Sequence, residues 1–194
     1  MNEQVMWYVS RSSGITAWAL VTLSVLWGLA LSTRALGRKA QPAWLLDIHR
    51  FLGGLSVTFV AIHMLALVGD NYVYFGWREL FIPFAADWQP GPVAWGIVGF
   101  YLLIAVEVTS LAMKRLPRRL WKWVHSSSFL VYALTTVHGF TAGTDVANGI
   151  YLWASVLSVQ AVAFFTVARL LIARRSKRQA AVPAAAATRA PVSA

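Results

Sequence analysis

The chain has 194 residues, of which 58% are hydrophobic and 12% charged, and its mean hydropathy of +0.60 is too high for a water-soluble domain of this size, which lacks the interior to hide so much apolar surface. The absence of cysteine excludes disulfide scaffolds, thiolate metal sites, iron–sulfur ligation and cysteine catalysis. The formal charge of +10 sits in short clusters between long apolar runs, so the expected partner is a lipid bilayer and not nucleic acid.

In chain order, residues 1–10 lack the basic leader of a secretory signal and read as an extracytoplasmic N-terminus ahead of a retained span. Ser12 to Thr33 is charge-free and close to the roughly 20 residues a helix needs to cross hydrocarbon. A second run, Phe51 to Gly69, begins in effect near Ala43 and carries Asp47, His49 and Arg50 at its entrance. Asp70 to Pro92 holds Tyr72, Tyr74, Phe75, Trp77, Phe81, Phe84 and Trp88, rings suited to the headgroup level, and reads as an outer aromatic cap. Val93 to Met113 is a third span, apolar except for Glu107, and Trp123 to Thr144 and Val146 to Ala168 complete five. Residues 174–194, basic and then Ala/Pro-rich, are predicted to be a disordered cytoplasmic tail. Trp121 and Trp123 read as interfacial anchors, and no internal repeat beyond the histidine spacing is evident.

Charge sets the orientation, because Lys and Arg gather in short cytoplasmic loops. Arg34, Arg38, Lys39 and Arg50 surround the first connection, Lys114, Arg115, Arg118, Arg119 and Lys122 the third, and six more basic residues from Arg169 onward follow the last span. Only Arg11 and Arg78 remain for the other side, with Glu3, Asp70, Glu79, Asp87 and Asp145. The expectation is an all-α integral membrane protein of the inner (plasma) membrane, a bundle of five transmembrane helices with the N-terminus out and the C-terminus in.

All four histidines lie inside spans: His49 and His63 in the second, His125 and His138 in the fourth. Intramembrane ionisable groups are costly, and imidazole is a leading ligand for metals and haem. Fourteen residues separate His49 from His63, about 21 Å of rise and nearly four whole turns, so both leave one helix face at different depths. His125 and His138 are 13 apart, giving about 19.5 Å and matching depths on a span that runs the same way. His49 is thus expected to meet His125 near the inner side and His63 to meet His138 near the outer side, each pair able to clamp one flat macrocycle. A spacing of 13 leaves the second pair of rings about 140° apart on a straight helix, so a distortion is required, and Ser126, Ser127 and Ser128 offer places for it. Gly53, Gly54 and Gly139 suit room for a porphyrin or close helix packing equally well. The competing reading of the histidines is hydrogen bonding across a helix bundle. A zinc site is disfavoured, since neither Cys nor HExxH occurs.

RSSG (Arg11 to Gly14), His49 with Arg50, His63, TSL (Thr109 to Leu111), WKWVH (Trp121 to His125) and HGFTAGTD (His138 to Asp145) together resemble the ferric reductase-like transmembrane cytochrome b family. That superfamily also holds the NADPH oxidase membrane domains and the haem subunit of a periplasmic methionine sulfoxide reductase system. The resemblance covers residues 11–173 and implies two b-type haems, with His49 and His125 on the inner and His63 and His138 on the outer. It also implies that Arg11 approaches the outer haem's propionates and Arg50 the inner one's. No glycine-rich dinucleotide fingerprint occurs, so no flavin or nicotinamide site is expected in this chain.

The function that follows is transmembrane movement of single electrons, as the electron-transfer subunit of a multi-protein system. The donor is expected to be separate, a cytoplasmic flavin reductase or a quinol, and the acceptor an extracytoplasmic flavoprotein, molybdoenzyme or ferric chelate. Two alternatives stand beside it: a non-redox membrane binding or assembly subunit, and a quinol-oxidising cytochrome b subunit in which Glu107 accepts the proton.

Overall fold

The structure, a computed structural model, describes residues 3–33, 43–70, 73 and 75–187. The basic residues Arg34, Arg38, Lys39 and Arg189, and the cap residues Tyr72 and Tyr74, lie outside the described residues. Every regular element described is a helix: α1 (Glu3–Thr33), α2 (Ala43–Gly69), α3 (Trp77–Phe81), α4 (Pro90–Leu111), α5 (Arg118–Ser126), α6 (Ser128–Ala142) and α7 (Gly149–Ala187). Four of them, α1, α2, α4 and α7, are long and apolar enough to cross a membrane. The stretch expected as the fourth of five spans, with a distortion near Ser126 to Ser128, is two helices, α5 and α6, separated at Ser127.

The break has a local cause. Ser127 donates its backbone N–H to Val124 at 3.0 Å, a bond to the third residue back, and its hydroxyl donates to the same carbonyl at 2.6 Å. A turn closed over three residues winds tighter than an α-turn by about 20° per residue. This overwinding turns the chain in the direction that the spacing of 13 demands.

α7 continues to Ala187, so the backbone of residues 174–187 is helical where composition predicts disorder. Alanine is the best helix former, which favours continuation of a helix already nucleated in an apolar span, although Pro183 inside the segment lacks the N–H for a helical bond.

α1 packs along α2, and α4 along α6. The main core joins Val21, Val25 and Leu29 of α1, Leu103 of α4, Val131 and Tyr132 of α6 and Val162 of α7, with Val57 and Val60 of α2 against it. On α2 and on the α5–α6 stretch these residues fall between the two histidine levels. Two polar pairs join helices inside the bundle: the Tyr132 hydroxyl lies 2.7 Å from Ser158 Oγ, and the Trp18 indole donates to Thr136 Oγ1 at 3.0 Å. The outer surface carries large apolar side chains, among them Leu23, Leu65, Val108, Trp153 and Phe164, all exposed as lipid-facing residues must be.

A second cluster, Phe75, Leu80, Ala86, Val93 and Ile97, seats the α3 segment against α2 and α4. Part of this segment lies alongside α4. The Tyr101 hydroxyl donates to the Phe81 carbonyl at 2.7 Å, and the Phe81 ring meets Phe100 at 6.1 Å. Tyr101 lies about 16 Å along α4 from Pro90 and its phenol leans back toward the helix start, so Phe81 sits roughly 10 Å below the first turn. The phenol satisfies a helix-end carbonyl that lipid cannot. Because the chain has no cysteine, single replacements report on depth: Ile82→Cys is expected to react far more slowly than Asp87→Cys with a membrane-impermeant maleimide. Equal rates would place α3 in water.

Candidate functional site

The four histidines form two facing pairs. His49 on α2 and His125 on α5 have ring centroids 5.9 Å apart, and His63 on α2 and His138 on α6 have centroids 6.4 Å apart, with interplanar angles of 77° in both pairs. Two imidazoles on opposite sides of one metal would need about 2 Å per metal–nitrogen bond and about 1.1 Å from that nitrogen to the ring centre, or roughly 6.2 Å between centroids. Both separations fit. Among the described residues no three of His, Asp and Glu gather as an ion site.

The ring nitrogen engaged with protein is Nδ1 in every case. His63 Nδ1 lies 2.8 Å from the Ser10 carbonyl, and His138 Nδ1 lies 2.8 Å from the Pro92 carbonyl. A carbonyl only accepts, so these Nδ1 atoms carry the proton and Nε2 keeps its lone pair for a ligand. Such an outer bond fixes tautomer and ring orientation, as metal-bound histidines require. The inner rings have weaker partners, Ser24 Oγ at 3.4 Å from His49 Nδ1 and Ser110 Oγ at 3.3 Å from His125 Nδ1. Trp121 stacks on His125, with centroids 5.1 Å apart and an angle of 23°, so it supports the ligand ring as well as the membrane boundary. Trp123 is exposed, as an anchor would be.

Three glycines let the rings approach. A Cβ at Gly14 would stand 3.0 Å from His63 Nδ1, one at Gly28 would stand 3.1 Å from His49 Cε1, and one at Gly96 would stand 2.9 Å from His138 Cε1. Gly14 and Gly96 each follow by four residues the carbonyl that their histidine uses. A helical Cβ tilts toward the N-terminus, over the carbonyl one turn back, so its absence uncovers that oxygen. Of the glycines singled out in sequence, Gly53 faces the Glu107 carboxylate, Gly139 faces the Tyr151 hydroxyl and Gly54 meets nothing within 4 Å. α1 also carries a signal that sequence reading passed over, S-x3-G at Ser10–Gly14 and again at Ser24–Gly28, offset by the same 14 residues as His49 and His63.

The outer pair opens on a cavity of about 280 Å³ reached by Gly14, Trp18, Gly96, Ile97 and Tyr151. Arg11 stands at its rim, gripping Asp145 with both arms of the guanidinium, Nε at 2.9 Å from Oδ2, and lying 4.1 Å above the Trp7 ring. Arg50 pairs at 3.1 Å with Asp47 on its own helix, both side chains being more than half exposed. Arg11 is therefore positioned beside the outer site, whereas Arg50 turns to the surface.

These features define a multi-pass, all-helical membrane protein with two internal bis-imidazole sites at different depths. The chain belongs to the family described as ferric reductase like transmembrane component, which matches residues 13–136 and so takes in His49, His63 and His125, with His138 just beyond. It is 32% identical over 124 residues to the protein-methionine-sulfoxide reductase heme-binding subunit MsrQ of Caulobacter vibrioides, covering 62% of this chain and 55% of that one. The MsrQ subunit of Herminiimonas arsenicoxydans is 26% identical over 134 residues, covering 68% and 56% respectively. The magnetosome protein MamZ of Paramagnetospirillum magneticum is 25% identical over 82% of this chain but only 23% of its own length. The chain thus spans a little over half the length of the MsrQ relatives. No solved structure matches it.

Proposed function

We propose that the chain is a transmembrane di-haem b cytochrome that moves single electrons across the bilayer. The observation that carries this is the pair of facing imidazole couples, 5.9 and 6.4 Å apart, on α2 and the α5–α6 stretch. His49 and His125 hold the inner group and His63 and His138 the outer one. Bound haem supplies a one-electron iron couple at each level. The protein's part is to present four Nε2 atoms, hold their rings by Nδ1 and keep water from the space between levels with the core around Val131 and Leu103. The family membership and the likeness to MsrQ, a heme-binding subunit, support the same reading.

In this reading α5 and α6 together make the fifth crossing, with the N-terminus out and the C-terminus in, as the loop charges favour. The donor is a separate cytoplasmic flavin reductase or a quinol, meeting the basic connection from Lys114 to Lys122. The acceptor is an extracytoplasmic flavoprotein, molybdoenzyme or ferric chelate, and the relatives' names favour a protein partner of the sulfoxide-reducing kind. Arg11, beside the outer cavity, is the group placed to meet an anionic substituent there. Purified protein is expected to show a b-type reduced-minus-oxidised spectrum with about two haems per chain. Protein that folds and binds none would remove the proposal in favour of an assembly subunit.

A further inference from the structure

Glu107 is an acidic side chain within a span, and neither the histidine pairs nor the ion pairs use it. Its carboxylate lies against the bare Cα of Gly53, where any Cβ would collide with it. Gly53 is one turn from His49 on the same face of α2, about 6 Å toward the outer level. On its own helix, Glu107 is one turn from Ser110, whose hydroxyl sits 3.3 Å from His125 Nδ1. The carboxylate is therefore bracketed by both halves of the inner pair. Among the described residues it makes no hydrogen bond or ion pair. Carboxyl groups within membranes are expensive and persist where they hold or pass charge.

From this placement we propose that Glu107 is a proton-binding site coupled to the inner electron site, taking up one proton as one electron arrives and releasing it as the electron leaves. The inference rests on the di-haem reading. The electron comes from the external one-electron donor and the proton from the cytoplasmic side, so each cycle restores the carboxylate and leaves the net charge of the region unchanged. In a low-dielectric interior, a unit charge about two turns away changes a protonation equilibrium by more than about tenfold, enough to couple the two events. The other titratable groups on the helices packed against α4 are few. His49 on α2 and His125 on α5 are committed to the inner pair, His63 on α2 and His138 on α6 belong to the outer level, and Glu79 of α3, next to Arg78, lines the outer cavity. Asp47 and Arg50 at the start of α2 pair with each other at the surface, and Lys122, Arg118 and Arg119 of α5 lie on the loop side.

The test is redox potentiometry of the purified, haem-loaded protein as a function of pH, the inner couple being identified by its loss in His49→Ala. In the wild type the inner reduction equilibrium is expected to become up to tenfold less favourable per pH unit, about 59 mV, over part of the range. Glu107→Gln is expected to flatten that dependence, Glu107→Asp to retain it in part, and the outer couple to be unaffected. A reduced-minus-oxidised infrared difference spectrum of the wild type is expected to show a carboxylic acid carbonyl band appearing with the inner electron, which tests the point even if the variants do not assemble. A pH-independent inner couple, a slope unchanged in Glu107→Gln, or no carboxyl band would overturn the inference while leaving the haem reading intact. Protein without haem would overturn both.

Discussion

His63→Ala is expected to lower haem content from about two to about one per chain, and His49→Ala to do the same while removing the other spectral component. Each change deletes one of the two imidazoles proposed to hold that haem, and the helix that carries it stays anchored elsewhere. α2 is held along its length by α1, and Ser56, fully buried between the levels, returns its hydroxyl to Leu52 at 2.8 Å. The double variant is expected to bind none yet keep its helical circular dichroism. Transfer from an inner reductant to an outer acceptor is expected to vanish in both single variants, because either level alone leaves a gap across half the bilayer. Two haems retained in His63→Ala would mean that the outer pair does not ligate.

The second large effect is expected from Gly96→Ala. The added methyl would lie within 2.9 Å of two atoms of the His138 ring and would cover the Pro92 carbonyl that holds it. The ring must then leave its place or lose its orienting bond, and loss of such an outer partner weakens metal binding by about 10–100-fold. Outer haem content measured against a haem-competing apoprotein is expected to fall accordingly, with the inner component unchanged. Gly54→Ala, where a Cβ meets nothing within 4 Å, serves as the control. Equal retention in the two variants would show that the close approach at Gly96 is incidental.

Much of this was legible in the chain because two kinds of signal are strong: apolar runs of membrane length and histidines where lipid tolerates few charges. The spans at α1, α2, α4 and α7 appear where those runs lie, and the rings of His49 with His125 and His63 with His138 are brought together across the bundle. The required distortion falls at Ser127, inside the serine run that offered it. What composition could not reveal depends on which helix becomes a neighbour. Gly53 and Gly139 look as suitable for a macrocycle as Gly14, Gly28 and Gly96, and only packing separates those beside a histidine from those beside Glu107 or Tyr151. Arg11's partner lies 134 residues away at Asp145. The depth of α3 depends on one phenol-to-carbonyl bond that no periodicity announces.

The matched offsets along three helices also fix a length. Ser10 and Ser24, Gly14 and Gly28, His49 and His63, and Gly96 and Ser110 all stand 14 residues apart. The interval between the two histidine levels, about 21 Å along the axis, is therefore graduated by peptide rise, as on a ruler, and owes nothing to the connecting segments. Insertions at either end of the bundle are thus free to reshape its outer faces without altering that spacing.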